Sequence, residues 1–524
     1  MRAFGIGLLL ATAIPVAAQA RTVVVEERSI DDLQALMTAK KASSVDLVTA
    51  YLKRIAAMDR KGPTLRSIIA LNPDAMAQAR QLDAERKAGR VRGPLHGIPV
   101  LIKDNVETAD PIATTAGSLA LRDNVTRRDA PVVAALRAKG AVILGKTNLS
   151  EWANIRSSRS MSGWSAIGGL VRNPYALDRT ACGSSSGSGT AVAASFAAAA
   201  VGTETDGSVV CPASINGLVG LKPSIGLVSR THVVPISHSQ DTPGPMARSV
   251  RDVATMFSAM IAADPADATT AGAVARDYAA GLSTSALSGL KIGVIRPQMT
   301  PDLTARYDAA LAVLRAAGAV LVDVEAPKLE GLGDAEFTVL KTELKADMNA
   351  YLATTPTAVK TRTLDDVIAF NEANAATEMP YFAQETFEDA AKTKGLDDPA
   401  YKAARAKSLR LAGVEGIDAM LKTAGAQLLV EPTYGGAWLS DPVYGDQYGG
   451  PSASELPAVA GYPHLTVPMG LVDGLPVGLS FIATKNAEAT LLAAGYAYEQ
   501  RARARSAPRY LPTAAAGLGM DGVR

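Results

Sequence analysis

Residues 135–147 read ALRAKGAVILGKT, and residues 313–325 read VLRAAGAVLVDVE. Both open on helical spacing, break at a glycine (Gly140, Gly318) and run on as an apolar stretch. A glycine just past the last periodic residue stops a helix, because it adopts the left-handed conformation without a Cβ clash. The stretch that follows suits a strand buried on both faces. Pro131 in the first turn places the earlier helix over about 129–139. Helix–glycine–strand units repeated along a chain predict an α/β fold with at least partly parallel strands.

The first copy also contains GAVILGKT (140–147), which matches the G-x-x-x-x-G-K-[ST] phosphate loop letter for letter. Such a loop needs a strand before it, an open interior and a helix after it. Here the helix comes first and the interior is Ala-Val-Ile-Leu, so nucleotide binding is rejected.

Working outward, GIPVLIKDN (97–105) reads as a buried strand that delivers Lys103 to an edge or cleft. Residues 28–90 have helical periodicity, with serines placed to cap. Residues 335–425 read as a charged helical elaboration around the core. Apolar strands and glycine turns resume over 456–483, a helix follows from Asn486, and 512–524 reads as a loose tail. No Pro/Ser-rich linker divides the chain, so 21–511 is expected to be one domain.

The start, MRAFGIGLLLATAIPVAAQA, has a positive residue, a short apolar run and an Ala-Gln-Ala cleavage site. That is the pattern of a cleavable signal peptide over 1–20, with a mature chain from about Arg21 in the periplasm or medium. Net charge is +2 with no basic block, which predicts neither nucleic-acid nor membrane partners. The chain has two cysteines (Cys182, Cys211), too few for a disulfide framework, and whether they pair stays open. Four histidines lack metal-ligand spacing, so no metal is expected.

The run CGSSSGSGT (182–190) admits three readings. A linker would not lead straight into AVAASFAAAAVG (191–202), which reads as a small-residue helix packed on a sheet. A G-x-S-x-G nucleophile elbow needs a core strand before it, and NPYALDRTA is polar. A Ser-His-Asp triad would have to recruit His464. The third reading takes in a second serine, Ser208 in GTETDGS, 24 residues beyond Ser184.

Lys103 in GIPVLIKDN, the serine-glycine run, GTETDGS, GPMARSVRD and GLPVGLSFI occur in an order that resembles the amidase signature family over about 28–505. The resemblance implies a central mixed, twisted β-sheet covered by helices on both faces. It implies Ser208 as nucleophile and Ser184 as the bridge to Lys103, with a cis peptide before Ser184. Backbone N–H groups of Thr205, Asp206, Gly207 and Ser208 would form an oxyanion hole, with Gly183 and Ser185 in support. The family more often has glycine at Asp206 and arginine at Val210. The local pattern is similar to that of bacterial peptide amidases, which remove ammonia from C-terminal peptide amides, and less like the glutamyl-tRNA amidotransferase A subunit.

The chemistry is consistent with the residues. A serine is inert until a base takes its proton, and a lysine serves only when burial keeps it neutral. The expectation is an exported, cofactor-free hydrolase of small-molecule or peptide amides. Alternatives are an esterase or aryl-acylamidase on the same scaffold, or a non-catalytic periplasmic binding protein, which has no use for a buried lysine aimed at two serines.

Overall fold

The computed structural model describes residues 23–514. The expected signal peptide and the end of the expected tail lie outside the described residues.

Eleven strands form one sheet: β1 (Ile68–Leu71), β2 (Pro99–Lys103), β3 (Val142–Thr147), β4 (Ala199–Glu204), β5 (Val219–Lys222), β6 (Thr242–Ala247), β7 (Lys291–Ile295), β8 (Val320–Val324), β9 (Leu428–Pro432), β10 (His464–Val472) and β11 (Leu475–Ile482). Their order is β1-β3-β2-β4-β6-β5-β10-β11-β9-β7-β8. β2 pairs in parallel with β3 and β4, and β7 with β8 and β9. The middle of the sheet is antiparallel, through β6, β5, β10 and β11. Every residue of β2, β3, β4, β6 and β11 is buried. Successive strand side chains point to opposite faces, so helices must cover both faces, as they do.

The two repeated units supply β3 and β8. Gly140 and Gly318 end the helices Pro131–Ala138 and Pro301–Ala316 at φ +86° and +92°. A Cβ at Gly140 would lie 2.7 Å from His96 Cα, so that turn also needs the close approach. β3 is buried as expected, but β8 is an edge strand with one neighbour, and Val320 is 47% exposed.

Two further expectations change. The alanine-rich flank 191–202 is not one helix: the helix Ser186–Ala193 stops, Ser195 turns through φ 55°, and β4 begins at Ala199. Alanine favours helix locally, but β4 is hydrogen-bonded between β2 and β6, and tertiary pairing overrides propensity. Within the helical N-terminal part, Ile68–Leu71 adds the edge strand β1 against β3. Residues 335–425 are largely helical, and their Leu344, Met348 and Phe387 pack on Ala116, Leu121 and Trp152. Of the expected tail, Pro512 and Thr513 are exposed and Ala514 is buried with Cys182 and Cys211.

Candidate active site

Lys103 is the last residue of β2, and Thr203 and Glu204 close the parallel neighbour β4. In open α/β sheets, sites gather at the carboxyl ends of such strands, where the chain must leave the sheet. Lys103 is fully buried there. Its Nζ lies 2.7 Å from Ser184 Oγ, 2.9 Å from Thr203 Oγ1 and 3.2 Å from Thr203 O. Burial pushes its pKa from 10.5 down to about 7, and the negative fields of Asp241 and Glu204 offset only part of that. Asp104, the carboxylate next along, turns away to accept from Thr115 Oγ1 and the Thr115 amide.

The Gly183–Ser184 peptide is cis. A Cβ on Gly183 would fall 2.1 Å from Ser150 Oγ, so only glycine fits there. The Ser184 carbonyl accepts from the Ser150 amide, and the chain then enters the helix Ser186–Ala193. The Ser185 amide donates to Ser208 O at 3.2 Å, tying the two serine segments together. Ser185 Oγ donates to Thr203 O and accepts from the Thr203 amide, so it braces the strand end under Lys103.

Ser208 follows the turn Thr205-Asp206-Gly207 and precedes the helix Val210–Ile215. Gly207 sits at φ +77°, where a Cβ would meet Tyr434 Oη at 2.5 Å. Glu204 caps the helix, its Oε2 accepting from the Val209 and Val210 amides at 2.7 and 2.9 Å. Asp241 holds the turn from the other side, accepting from Thr205 Oγ1 at 2.5 Å and from the Ile236 and Ser237 amides. Burial raises Asp241 to about 6 and also lifts Asp206, which Ser454 and the charge of Lys222 partly counter. Gly183, Thr205, Asp206 and Ser208 line one cavity of about 280 Å³ with Ile155, Leu340, Trp438 and Tyr448.

The structure therefore brings Lys103, Gly183, Ser184, Ser185 and the turn 205–208 to one place. His464 is elsewhere: it starts β10, is buried, bonds Ser480 Oγ through Nε2 at 2.6 Å, and is held down to about 3 by burial. It does not line the cavity, so a Ser-His-Asp triad built on it has no geometric basis. The cysteines left open by the sequence are joined, with Cα atoms 6.0 Å apart. That bond staples the segment before Ser184 to the helix after Ser208.

Sequence reasoning missed Thr203, Asn105 and Asp241. Thr203 Oγ1 receives both Lys103 Nζ and Asn105 Nδ2, each at 2.9 Å. The available signal was position: Asn105 lies two residues past the end of β2, and Thr203 lies at the end of its parallel partner. Among the described residues, His238, Glu343 and Asp347 form one cluster with metal-binding geometry. Glu343 already accepts from Ser237, Ser239 and Tyr401, so it is spent on protein donors.

A family model described as Amidase matches residues 46–492. The native peptide amidase of Stenotrophomonas maltophilia is 52% identical, with a TM-score of 0.88 over 93% of this chain and 99% of that one. An amidase family protein of Bacillus anthracis is 37% identical, with a TM-score of 0.83 over 93% of each chain. A probable amidase of Arabidopsis thaliana is 37% identical across 94% of this chain and 93% of its own length. With its family match spanning most of the sheet and both serine segments, the chain belongs to the amidase family, the amidase-signature hydrolases of amide C–N bonds.

Proposed function

We propose that the protein removes ammonia from C-terminal carboxamides of short peptides, through an acyl-enzyme on Ser208. The observation that carries the chemistry is a fully buried Lys103, with its pKa near 7, placed 2.7 Å from Ser184 Oγ, whose neighbour Gly183 lines a cavity together with Ser208. A neutral amine has two N–H bonds and one lone pair. Thr203 O and Thr203 Oγ1 take the two N–H bonds, and the lone pair is left for the Ser184 hydroxyl.

Ser208 attacks the carboxamide carbon while its proton passes to Ser184 Oγ and the Ser184 proton passes to Lys103. Negative charge on the carbonyl oxygen is met by backbone N–H groups of the turn 205–208, a type of stabilisation worth about 3–4 kcal/mol per donor. Return of the proton through Ser184 releases ammonia, and water then hydrolyses the ester by the same relay. The carboxamide preference rests on the 52% identity with a peptide amidase.

Export is part of the proposal. The signal pattern over 1–20 supports it, and so does the Cys182–Cys211 bond, since disulfides persist in oxidising compartments. No helix among the described residues is long and apolar enough to cross a membrane.

The test is ammonia release across C-terminally amidated peptides, simple amides and esters, with a fluorophosphonate probe to locate the nucleophile. Release from peptide amides with labelling at Ser208 is expected. Turnover of esters or anilides alone moves the assignment to an esterase or aryl-acylamidase, and absence of labelling rejects the nucleophile. N-terminal sequencing of the exported protein is expected to begin near Arg21.

A further inference from the structure

Between β9 and the helix Glu455–Ala460 the chain runs without regular structure over 433–454, as a strap beside the catalytic cavity. It supplies Tyr434, Trp438, Asp446, Tyr448, Ser452 and Ser454 to the cavity wall. One carboxylate pins its middle. Asp446 accepts from the Ser162 amide at 3.2 Å, from Ser162 Oγ at 2.5 Å and from Trp438 Nε1 at 2.9 Å. Its neighbour Gly445, at φ +71°, lies where a Cβ would come 2.8 Å from Arg159 O, so the strap is pressed onto the loop that carries Ser162. Tyr448 tilts against Trp438 with ring centroids 5.7 Å apart, yet is 61% exposed.

An aromatic ring that lines a cavity, packed on one side and open on the other, has apolar area still to bury. Ile155 and Leu340 line the same cavity and are apolar as well. The cavity therefore offers two kinds of surface: the polar serine turn for a carbonyl, and an aromatic–aliphatic wall.

We propose that this strap is the side-chain subsite of the enzyme: Tyr448 and Trp438 take an aromatic or bulky apolar side chain on the residue that carries the carboxamide, and Asp446 is the positioning residue that holds the wall. This extends the carboxamide reading above. A peptide bound by its carbonyl at Ser208 places its last side chain within a few ångströms of the reacting carbon, so the cavity wall is the surface available to select it. Burying a ring against Tyr448 changes kcat/KM by about tenfold, as expected for aromatic contacts worth about 1 kcal/mol or somewhat more.

The experiment compares kcat/KM for N-acetyl dipeptide amides ending in phenylalaninamide and in glycinamide, with wild type, Tyr448→Ala, Asp446→Ala and Asp446→Asn. A wild-type preference for phenylalaninamide is expected, and Tyr448→Ala reduces the ratio about tenfold, through KM. Asp446→Ala reduces the ratio comparably, and Asp446→Asn, which keeps an acceptor for Trp438, restores part of it. A wild type with no preference, or a ratio unchanged in Tyr448→Ala, overturns the subsite. The same ratio measured with 3-phenylpropanamide and propanamide separates this from failure of the peptide reading. If no peptide amide is hydrolysed while the simple amides still show a preference that depends on Tyr448, the peptide assignment falls and the subsite stands.

Discussion

Replacing Lys103 by methionine, a neutral side chain of similar length, sets activity against stability in a way that depends on pH. In the folded protein Lys103 is pushed from 10.5 to about 7. The native state therefore binds fewer protons than the unfolded chain between about pH 7 and 10.5. This group costs nothing above the unfolded value, and stability is lost as pH falls from there until the folded value is passed. Below about pH 7 the full cost is on the order of 4–5 kcal/mol. Methionine removes that cost and forfeits the bonds to Ser184 and Thr203, worth about 1 kcal/mol each.

The balance makes Lys103→Met more stable than wild type by about 1–2 kcal/mol at pH 6–7, and less stable by about 3 kcal/mol near pH 10.5. Thermal unfolding of both proteins from pH 6 to 10.5 should show the difference in Tm change sign. Over the same range, wild-type kcat/KM should rise along a limb centred near pH 7. The variant should lose that limb together with about 10²–10⁴-fold in rate. A Tm difference independent of pH, or a limb that survives in Lys103→Met, would refute a neutral, catalytic Lys103.

Ser208→Ala should abolish turnover and fluorophosphonate labelling while leaving Tm within about 1 °C, since it removes one hydroxyl at the cavity wall. Residual activity above a few per cent would direct attention to Ser185. His464→Asn should keep the pH limb, because burial already holds this imidazole neutral down to about pH 3; loss of the limb would show a histidine in the relay. Gly207→Ala should lower kcat/KM at least tenfold, because the turn must relax away from φ +77° and from Tyr434 Oη; wild-type kinetics would show that this turn does not position the nucleophile. Removing Cys182 and Cys211 together should cost about 3–4 kcal/mol, from opening a loop of 29 residues in the unfolded chain. Unchanged Tm in the double serine variant, with or without reductant, would show that the bond is not formed in solution.

The residues proposed to act and the residues packed around them differ in how visible they are in the linear chain. Lys103 ends an apolar run, Ser184 stands in a serine-glycine cluster and Ser208 in a glycine turn, so each carries a local signature. Thr203 and Asn105 are ordinary polar residues until β2 and β4 lie side by side. Lys103 and Ser184 are 81 residues apart, and their contact exists because the helix Ser186–Ala193 and β4 return the chain to the edge of β2.

The sequence by itself determined the two helix–glycine–strand units, the buried run ending in Lys103 and the helical character of 335–425, because helix stops and apolar periodicity record local burial. Only the tertiary structure decided that residues 199–204 are a central strand, that β8 is an exposed edge, that Cys182 meets Cys211 and that Asp446 pins the strap beside the cavity. Each of those depends on which segments of the sheet become neighbours. Neighbour choice is set by pairing and packing energies summed over residues far apart in the chain, which no local window contains.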